Sequence, residues 1–403
     1  MLLGLCLLSL PSIRKRFYES FYAFHILLAI TYLGLLFWHT ANTLDSWAYL
    51  WATLAIWLAS WFARAFWFTR PLNIKASWAA GGWPAVITPL TDQVTRVEVW
   101  PRDDEVSWTP GQHAFLRFPA FAPLDNHPFT IASSPLSLSL PAGKEEQKRE
   151  GKKLLFLIRA HDGATRKVAA FAHGKTGIEG QGKQTTVWFD GPYGGLARPQ
   201  IEKRYDTLML VAGGTGISAC LPWLLHLSSL ARASVKEGSK MRLKKVVLVW
   251  AIKEMDALKW VQDELETAIA NGESGPGFSV TLRIHVTGSA GVDSESLKRV
   301  TDGQKVTSKT EISVVDGDAA EVESDKGSAT TRSRLPGASY LSGRPDMRHS
   351  VEDLIQNGGK FMVIGCGPEG FRLDLANAVA EAQKRVMAGA CEEIALHLET
   401  FGW

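Results

Sequence analysis

Val211-Ala212-Gly213-Gly214-Thr215-Gly216-Ile217 runs from an apolar, strand-like stretch into a helical one. Glycines at such a junction let the backbone approach a pyrophosphate. The helix start adds unpaired N–H groups and the positive end of its dipole. Phosphate binding by Gly213, Gly214, Thr215 and Gly216 is the chemistry this predicts. The run is not a strict GxGxxG, so its meaning comes from the strand before it and the helix after it. Gly365-Cys366-Gly367-Pro368 follows the last apolar strand, at the edge where open α/β sheets bind ligands. Cys366 is there either a side chain set against a nicotinamide or a buried, inert thiol.

Further groups point to a flat cofactor with phosphates. In His127-Pro128-Phe129-Thr130 the proline fixes the backbone, the aromatic can cover a ring, and the hydroxyl can donate to a ring nitrogen. An ordinary strand start fits the same four residues. Gly163-Ala164-Thr165, on a turn between Arg159 and Arg166, offers small residues with N–H groups beside cations, as a pyrophosphate requires. Gly191-Pro192-Tyr193-Gly194-Gly195 reads as a linker turn closing this region. Arg344, in Gly343-Arg344-Pro345, is either a bidentate phosphate or carboxylate ligand or a solvated loop arginine. Terminal Trp403 is either a ring that stacks on a flavin or a frayed end.

His25 and His39 lie 14 residues apart in one apolar stretch. On a helix that is almost four turns, so both rings share a face, about 21 Å apart along the axis. The spacing suits two haems stacked across a membrane, since neutral imidazole is a common axial ligand. The pair also fits a plainer arrangement, with His39 at the headgroups and His25 bonded to a neighbouring helix.

These residues need distinct scaffolds. Two stretches are long enough to cross a bilayer, Phe17–Thr40 and Trp47–Phe68, with Tyr18, Trp38, Trp47 and Trp67 near their ends. The opening run Met1–Leu10 is too short, and its basic residues Arg14, Lys15 and Arg16 follow it rather than precede it, unlike a signal peptide. The loop Ala41–Ser46 has no basic residue, while Arg64, Arg70 and Lys75 lie at or beyond the second span. The positive-inside rule then puts that loop outside and the C-terminal region in the cytosol. Residues 80–200 read as short strands and turns, an antiparallel β-barrel: Val94–Trp100, Ala114–Phe118, Leu154–Arg159 and Thr185–Asp190 are its clearest strands. Residues 205–403 alternate strand and helix, which predicts a parallel, doubly wound α/β sheet. The helices expected there are Ile217–Leu230, Asp256–Ala270 and Gly370–Met387. The polar run Gly288–Gly337 reads mostly as a disordered insertion.

Composition narrows the function further. Among 403 residues, 46% are hydrophobic, which excludes wholesale disorder, and a net charge of +3 does not argue for a nucleic-acid partner. The 4 cysteines form no CxxC pair, so neither a disulfide framework nor a zinc site is expected.

The order of the motifs (HPFT, GAT, GPYGG, GGTGIS, GCGP, terminal aromatic) resembles the flavin and nicotinamide domains of ferredoxin–NADP reductase-like proteins. With Arg16-Phe17-Tyr18-Glu19 and the His25/His39 stretch in front, the chain resembles the ferric-chelate reductase branch of the ferric reductase/NADPH oxidase superfamily. The Pro110-Gly111-Gln112-His113 turn and the polar insertion resemble its fungal members. The resemblance implies NADPH and FAD as cytosolic cofactors, haem b in the membrane, and a ferric or cupric chelate reduced on the far side, most simply at the plasma membrane. It implies that His127, Pro128, Phe129 and Thr130 hold the flavin ring and Gly163 and Thr165 its phosphates. Gly213 to Gly216 would hold the NADPH phosphates, with Arg344 assisting. Cys366, Gly367, Pro368 and Trp403 would flank the nicotinamide, and His25 and His39 would ligate the inner and outer haem. A superoxide-forming NADPH oxidase would share every motif, and a haem-free NADPH diaphorase anchored in the lipid would need only the later ones. The family carries a second histidine pair on an earlier helix. Two haems need four histidines and the apolar part here has two. The expectation is therefore a truncated chain completed by upstream helices, or one without transmembrane electron transfer; a homo-oligomer is a further expectation.

Overall fold

The computed structural model describes residues 2–10, 18–63, 82–101, 106–135, 153–174, 182–196, 200–237, 241–273, 277–288, 334–355 and 358–400. The N-terminal part is helical, with Leu2–Leu8, Tyr18–Thr40 and Ser46–Ala63. Among the described residues one helix is long and apolar enough to cross a membrane, over the window Ala23–Thr40, and none of that window is buried. The helix over the second expected span, Ser46–Ala63, exposes Trp47, Trp51, Trp57, Trp61 and Phe62; the remainder of that span lies outside the described residues.

Six strands follow: β1 Trp83–Thr91, β2 Val94–Val99, β3 Gln112–Phe118, β4 Ala122–Thr130, β5 Leu154–Arg159 and β6 Lys183–Gly194. They pair in the order β4-β3-β6-β1-β2-β5, antiparallel throughout. In β5 the period of two sorts one apolar run onto two faces. Leu154, Phe156 and Ile158 enter the barrel core, whereas Leu155 and Leu157 join the core of the next domain.

Two expectations for this region fail. Gly191-Pro192-Tyr193-Gly194 is not a linker turn but the end of β6, where Tyr193 pairs with His113 and Gly194 with Gln112. Cross-strand pairing overrides the local turn chemistry of glycine and proline. Gly163-Ala164-Thr165 is not simply a turn but the start of a helix, Ala164–His173, which buries Val168 and Ala172 under the barrel.

The second domain contains β7 Thr207–Gly213, β8 Lys245–Ile252, β9 Ser279–Val286, β10 Ala338–Ser342, β11 Lys360–Cys366 and β12 Glu393–Glu399. They form one parallel sheet in the order β10-β9-β8-β7-β11-β12. Helices Ile217–Glu237 and Gln262–Glu273 share a core with one face, and Met347–Ile355 and Glu369–Met387 with the other. The expected helix over 256–270 is instead a 3-10 segment, Met255–Trp260, followed by Gln262–Glu273. The edges of the expected insertion are ordered: the Gly288 N–H donates to the Lys253 carbonyl, and Leu335 is buried. Residues 289–333 lie outside the described residues. Strand order reverses between β7 and β11, and an open sheet parts its loops at that point.

Candidate functional site

The turns after β7 and β11 meet at the reversal point with almost no side chain between them. A Cβ added at Gly216 would lie 2.3 Å from the Cys366 carbonyl oxygen and 3.3 Å from its Sγ. One at Gly213 would lie 2.9 Å from Pro368 Cδ, and one at Gly367 2.7 Å from the Phe371 ring. Gly216 is required by backbone approach, whereas Gly213 and Gly367 are packed against each other and against the side chains of Pro368 and Phe371. Gly214 differs: its φ is +54°, and a Cβ there would meet nothing within 4 Å, so the outer side of the turn is open. The 3-10 turn Gly214–Gly216 leads directly into the helix Ile217–Glu237, whose first N–H groups lack intrahelical partners. The cradle fits a pyrophosphate.

Cys366 does not reach that open side. It is fully buried, and burial, reinforced by the nearby Glu399 carboxylate, pushes its thiol up to about 12. Burial likewise raises Cys220, with Cys366 beside it. Both are neutral thiols at physiological pH, with no nucleophilic role. Among the four cysteines only Cys6 is exposed. Brief iodoacetamide treatment of the folded protein at pH 8 is expected to alkylate Cys6 and spare Cys220, Cys366 and Cys391, as read by peptide mass spectrometry.

A second set of residues lines the rim of the barrel. His127, Pro128, Phe129 and Thr130 end β4, the terminal strand of the sheet order, and all four are half-buried. The edge position tolerates the missing N–H of Pro128. Thr130 pairs across strands with His113, whose ring lies 6.2 Å from that of Tyr193 and 5.9 Å from that of Phe115. Burial lowers the His113 imidazole, while the Glu399 carboxylate works the other way. That coupling brings the end of β12 from the second domain to the barrel rim. Half-buried aromatic surface beside a hydroxyl fits a flat ring. His113, Tyr193 and Glu399 were not among the residues expected to form the site. Glu399 arrives there through its register with Cys366 along β11–β12, which no local motif encodes.

The remaining expected residues are dispersed. Gly163 caps the helix Ala164–His173 at φ +73°. The Thr165 hydroxyl accepts the His161 N–H at 2.8 Å, so it shapes the loop. Arg344 is exposed just past β10, three strands from β7 on the same sheet edge, or about 14 Å by strand spacing. Trp403 lies outside the described residues. His25 and His39 are exposed on the helix Tyr18–Thr40, with Phe21 5.3 Å from His25. Of the chain's 10 histidines only these two precede residue 100.

The two domains are tied beside the site. Arg96, on β2, donates to the Trp260 carbonyl at 3.1 Å and forms ion pairs with Glu264 of the second domain and Glu98 of its own strand. Burial works to raise Glu98, but the ammonium of Lys153 and the Arg96 guanidinium outweigh it and hold its carboxyl below the usual range. A second contact sets Gly111 of the Pro110-Gly111 turn against Trp223 on the helix Ile217–Glu237.

Comparison with known proteins agrees with this division. Residues 85–197 match the FAD-binding domain family, and residues 205–380 match the ferric reductase NAD binding domain family. The "Probable cell surface ferric reductase kap2" of Aspergillus oryzae is 36% identical over 264 residues, covering 66% of this chain and 33% of that protein. The ferric/cupric reductase transmembrane component 7 of Saccharomyces cerevisiae is 26% identical over 412 residues, covering 99% of this chain and 60% of that protein. A superoxide-generating NADPH oxidase heavy chain of Dictyostelium discoideum is 22% identical over 204 residues, half of this chain and 28% of that one. The chain thus spans between about a quarter and three fifths of these relatives. The FAD-binding match followed by the ferric reductase NAD binding match, together with the similarity to fungal ferric reductases, makes this chain a member of the fungal-type ferric reductase family.

Proposed function

We propose that the chain is the electron-delivering part of a membrane oxidoreductase that oxidises NADPH and reduces ferric or cupric chelates across the membrane, in iron and copper uptake. One observation carries the reading: the glycine cradle of Gly213, Gly216 and Gly367 and the aromatic rim of β4 lie at the junction of two domains, one matching an FAD-binding family and the other the ferric reductase NAD binding family. Gly213 to Gly216, Gly367 and Pro368 would hold the phosphates of NADPH, with Arg344 further along the sheet edge. His127 to Thr130 would hold the flavin ring, and the N–H groups at Gly163 and Thr165 its phosphates. Trp403 is assigned to the nicotinamide side of the flavin, and Cys366 to shaping the cradle as a neutral, buried thiol. Bound FAD would accept electrons in pairs and release them singly, so one NADPH serves two ferric ions.

The helices Tyr18–Thr40 and Ser46–Ala63 would lie in lipid, where their exposed tryptophans find an apolar solvent, with both nucleotide domains cytosolic at the plasma membrane. His25 and His39 would each supply one haem b ligand.

The test is a spectrum of the detergent-purified chain before and after anaerobic NADPH, followed by addition of a ferric chelate. A flavin band that NADPH bleaches and the chelate restores is the expected result; no flavin, or a flavin that NADPH leaves oxidised, would overturn the reading. A haem Soret band that His25→Ala and His39→Ala remove would support the haem assignment. A bleached flavin with no Soret band would instead support a second reading, a haem-free diaphorase. Superoxide in place of ferrous iron would move the acceptor to oxygen, as in the name of the Dictyostelium relative.

A further inference from the structure

Trp250 is fully buried near the end of β8, two strand positions from the ligand edge of the sheet. Its indole Nε1 donates to the Gly214 carbonyl at 2.9 Å. That carbonyl also accepts the Ile217 N–H that closes the 3-10 turn. The peptide joining Gly214 to Thr215 is planar, and in a trans peptide the C=O and N–H point in opposite directions. A carbonyl that points onto the buried indole therefore turns the Thr215 N–H away from it, in a turn that is open at Gly214. Gly214, at φ +54°, has the freedom to let this peptide rotate. Rotated the other way, it would present a carbonyl oxygen to the phosphates instead of a donor.

We propose that Trp250 is a positioning residue for the nicotinamide nucleotide: its N–H fixes the Gly214–Thr215 peptide so that the Thr215 N–H is preorganised for the pyrophosphate. The inference rests on the reading of this turn as the NADPH site and adds the residue that sets its donor direction. Side-chain chemistry at Thr215 is not involved, since its hydroxyl is not the donor. The role belongs to one atom of Trp250, and the neighbouring Trp260 supplies a matched control. The Trp260 ring lies 6.2 Å from that of Trp250, and its Nε1 is buried with no hydrogen-bond partner among the described residues.

The test uses the full chain with FAD bound, assayed with two hydride donors: NADPH, and N-benzyl-1,4-dihydronicotinamide, which has no phosphate. Trp250→Phe, and a replacement of Trp250 by β-(3-benzothienyl)alanine that keeps the ring volume and removes only the donor, are each expected to raise the KM for NADPH about 3- to 10-fold, the worth of one hydrogen bond. Flavin content and the rate with the phosphate-free donor are expected to stay unchanged, and Trp260→Phe to leave both donors unaffected. An unchanged NADPH KM in the benzothienyl protein would overturn the proposal. An equal loss with both donors would also overturn it, because the indole would then be structural filler. Failure of the wild-type chain to oxidise NADPH while it still accepts hydride from the phosphate-free donor would sink the nucleotide-site reading itself, a separate outcome.

Discussion

Gly216→Ala is expected to lower NADPH-dependent flavin reduction by at least about 100-fold. The added methyl would sit 2.3 Å from the Cys366 carbonyl oxygen and 2.8 Å from its carbonyl carbon. Both are backbone atoms at the end of β11, held by its register with β7 on one side and β12 on the other. No rotamer change relieves that overlap, so the two turns must separate. Overpacking of this kind costs ~1–3 kcal/mol, and a displacement of about 1 Å at a site can cost ~10²-fold in rate. Stopped-flow bleaching of the flavin reads the rate, and thermal unfolding reads the stability. A Gly216→Ala protein that bleaches at the wild-type rate would show that the cradle is not where NADPH binds. Gly214→Ala is the informative partner: its methyl meets open space, so only the left-handed backbone opposes it and the loss is expected to be far smaller.

The second large effect is expected at Arg96. Its guanidinium and the two carboxylates it pairs with have side chains only 14%, 18% and 15% exposed. Arg96→Met leaves Glu264 without the charge that balances it, and Glu98 with Lys153 alone. Breaking a buried pair from one side costs ~3–5 kcal/mol, whereas removing all the charges together can be nearly neutral. The triple replacement Arg96→Met, Glu98→Gln, Glu264→Gln is therefore expected to recover most of the loss in chemical denaturation. The pH sign follows from Glu98. Its folded carboxyl is held below the unfolded value, so its contribution is complete at neutral pH and disappears as pH falls below the ordinary carboxylate range and through the folded value. Wild type should lose stability in that window more steeply than the triple variant; parallel acid profiles would sink this account.

The glycine cradle was legible in the sequence because its information is local. Val211 to Ile217 carry the strand, the turn and the helix start within seven residues, and Gly365 to Pro368 do the same for β11. The parallel sheet was legible for the same reason, as apolar runs alternated with helical ones. What sequence could not supply is non-local. Tyr193 lies in a Gly-Pro-Tyr-Gly run that every local preference assigns to a turn, yet pairing with β3 draws it into a strand. Glu399 becomes part of the rim only because β12 lies beside β11. The helix Ala164–His173 was hidden because its polar first turn follows a glycine and reads as a continuation of the turn. Trp250 carries no local signal of its role, since its hydrogen bond joins positions 36 residues apart.

The two-faced strand β5 bears on how far this molecule can be treated as a kit of parts. Chain position puts a boundary near residue 200, but Leu155 and Leu157 belong to the core of the sheet beyond it, and Ala132 joins them there. Chimaeras that exchange the barrel between relatives by cutting at that boundary would carry away part of the recipient's interior. A viable graft would need to move Ala132, Leu155, Leu157 and Arg96 together with the surfaces they fill, or rebuild both sides at once. Homologues should accordingly vary these positions in concert, and scanning calorimetry should show the two nucleotide-binding domains melting in a single transition.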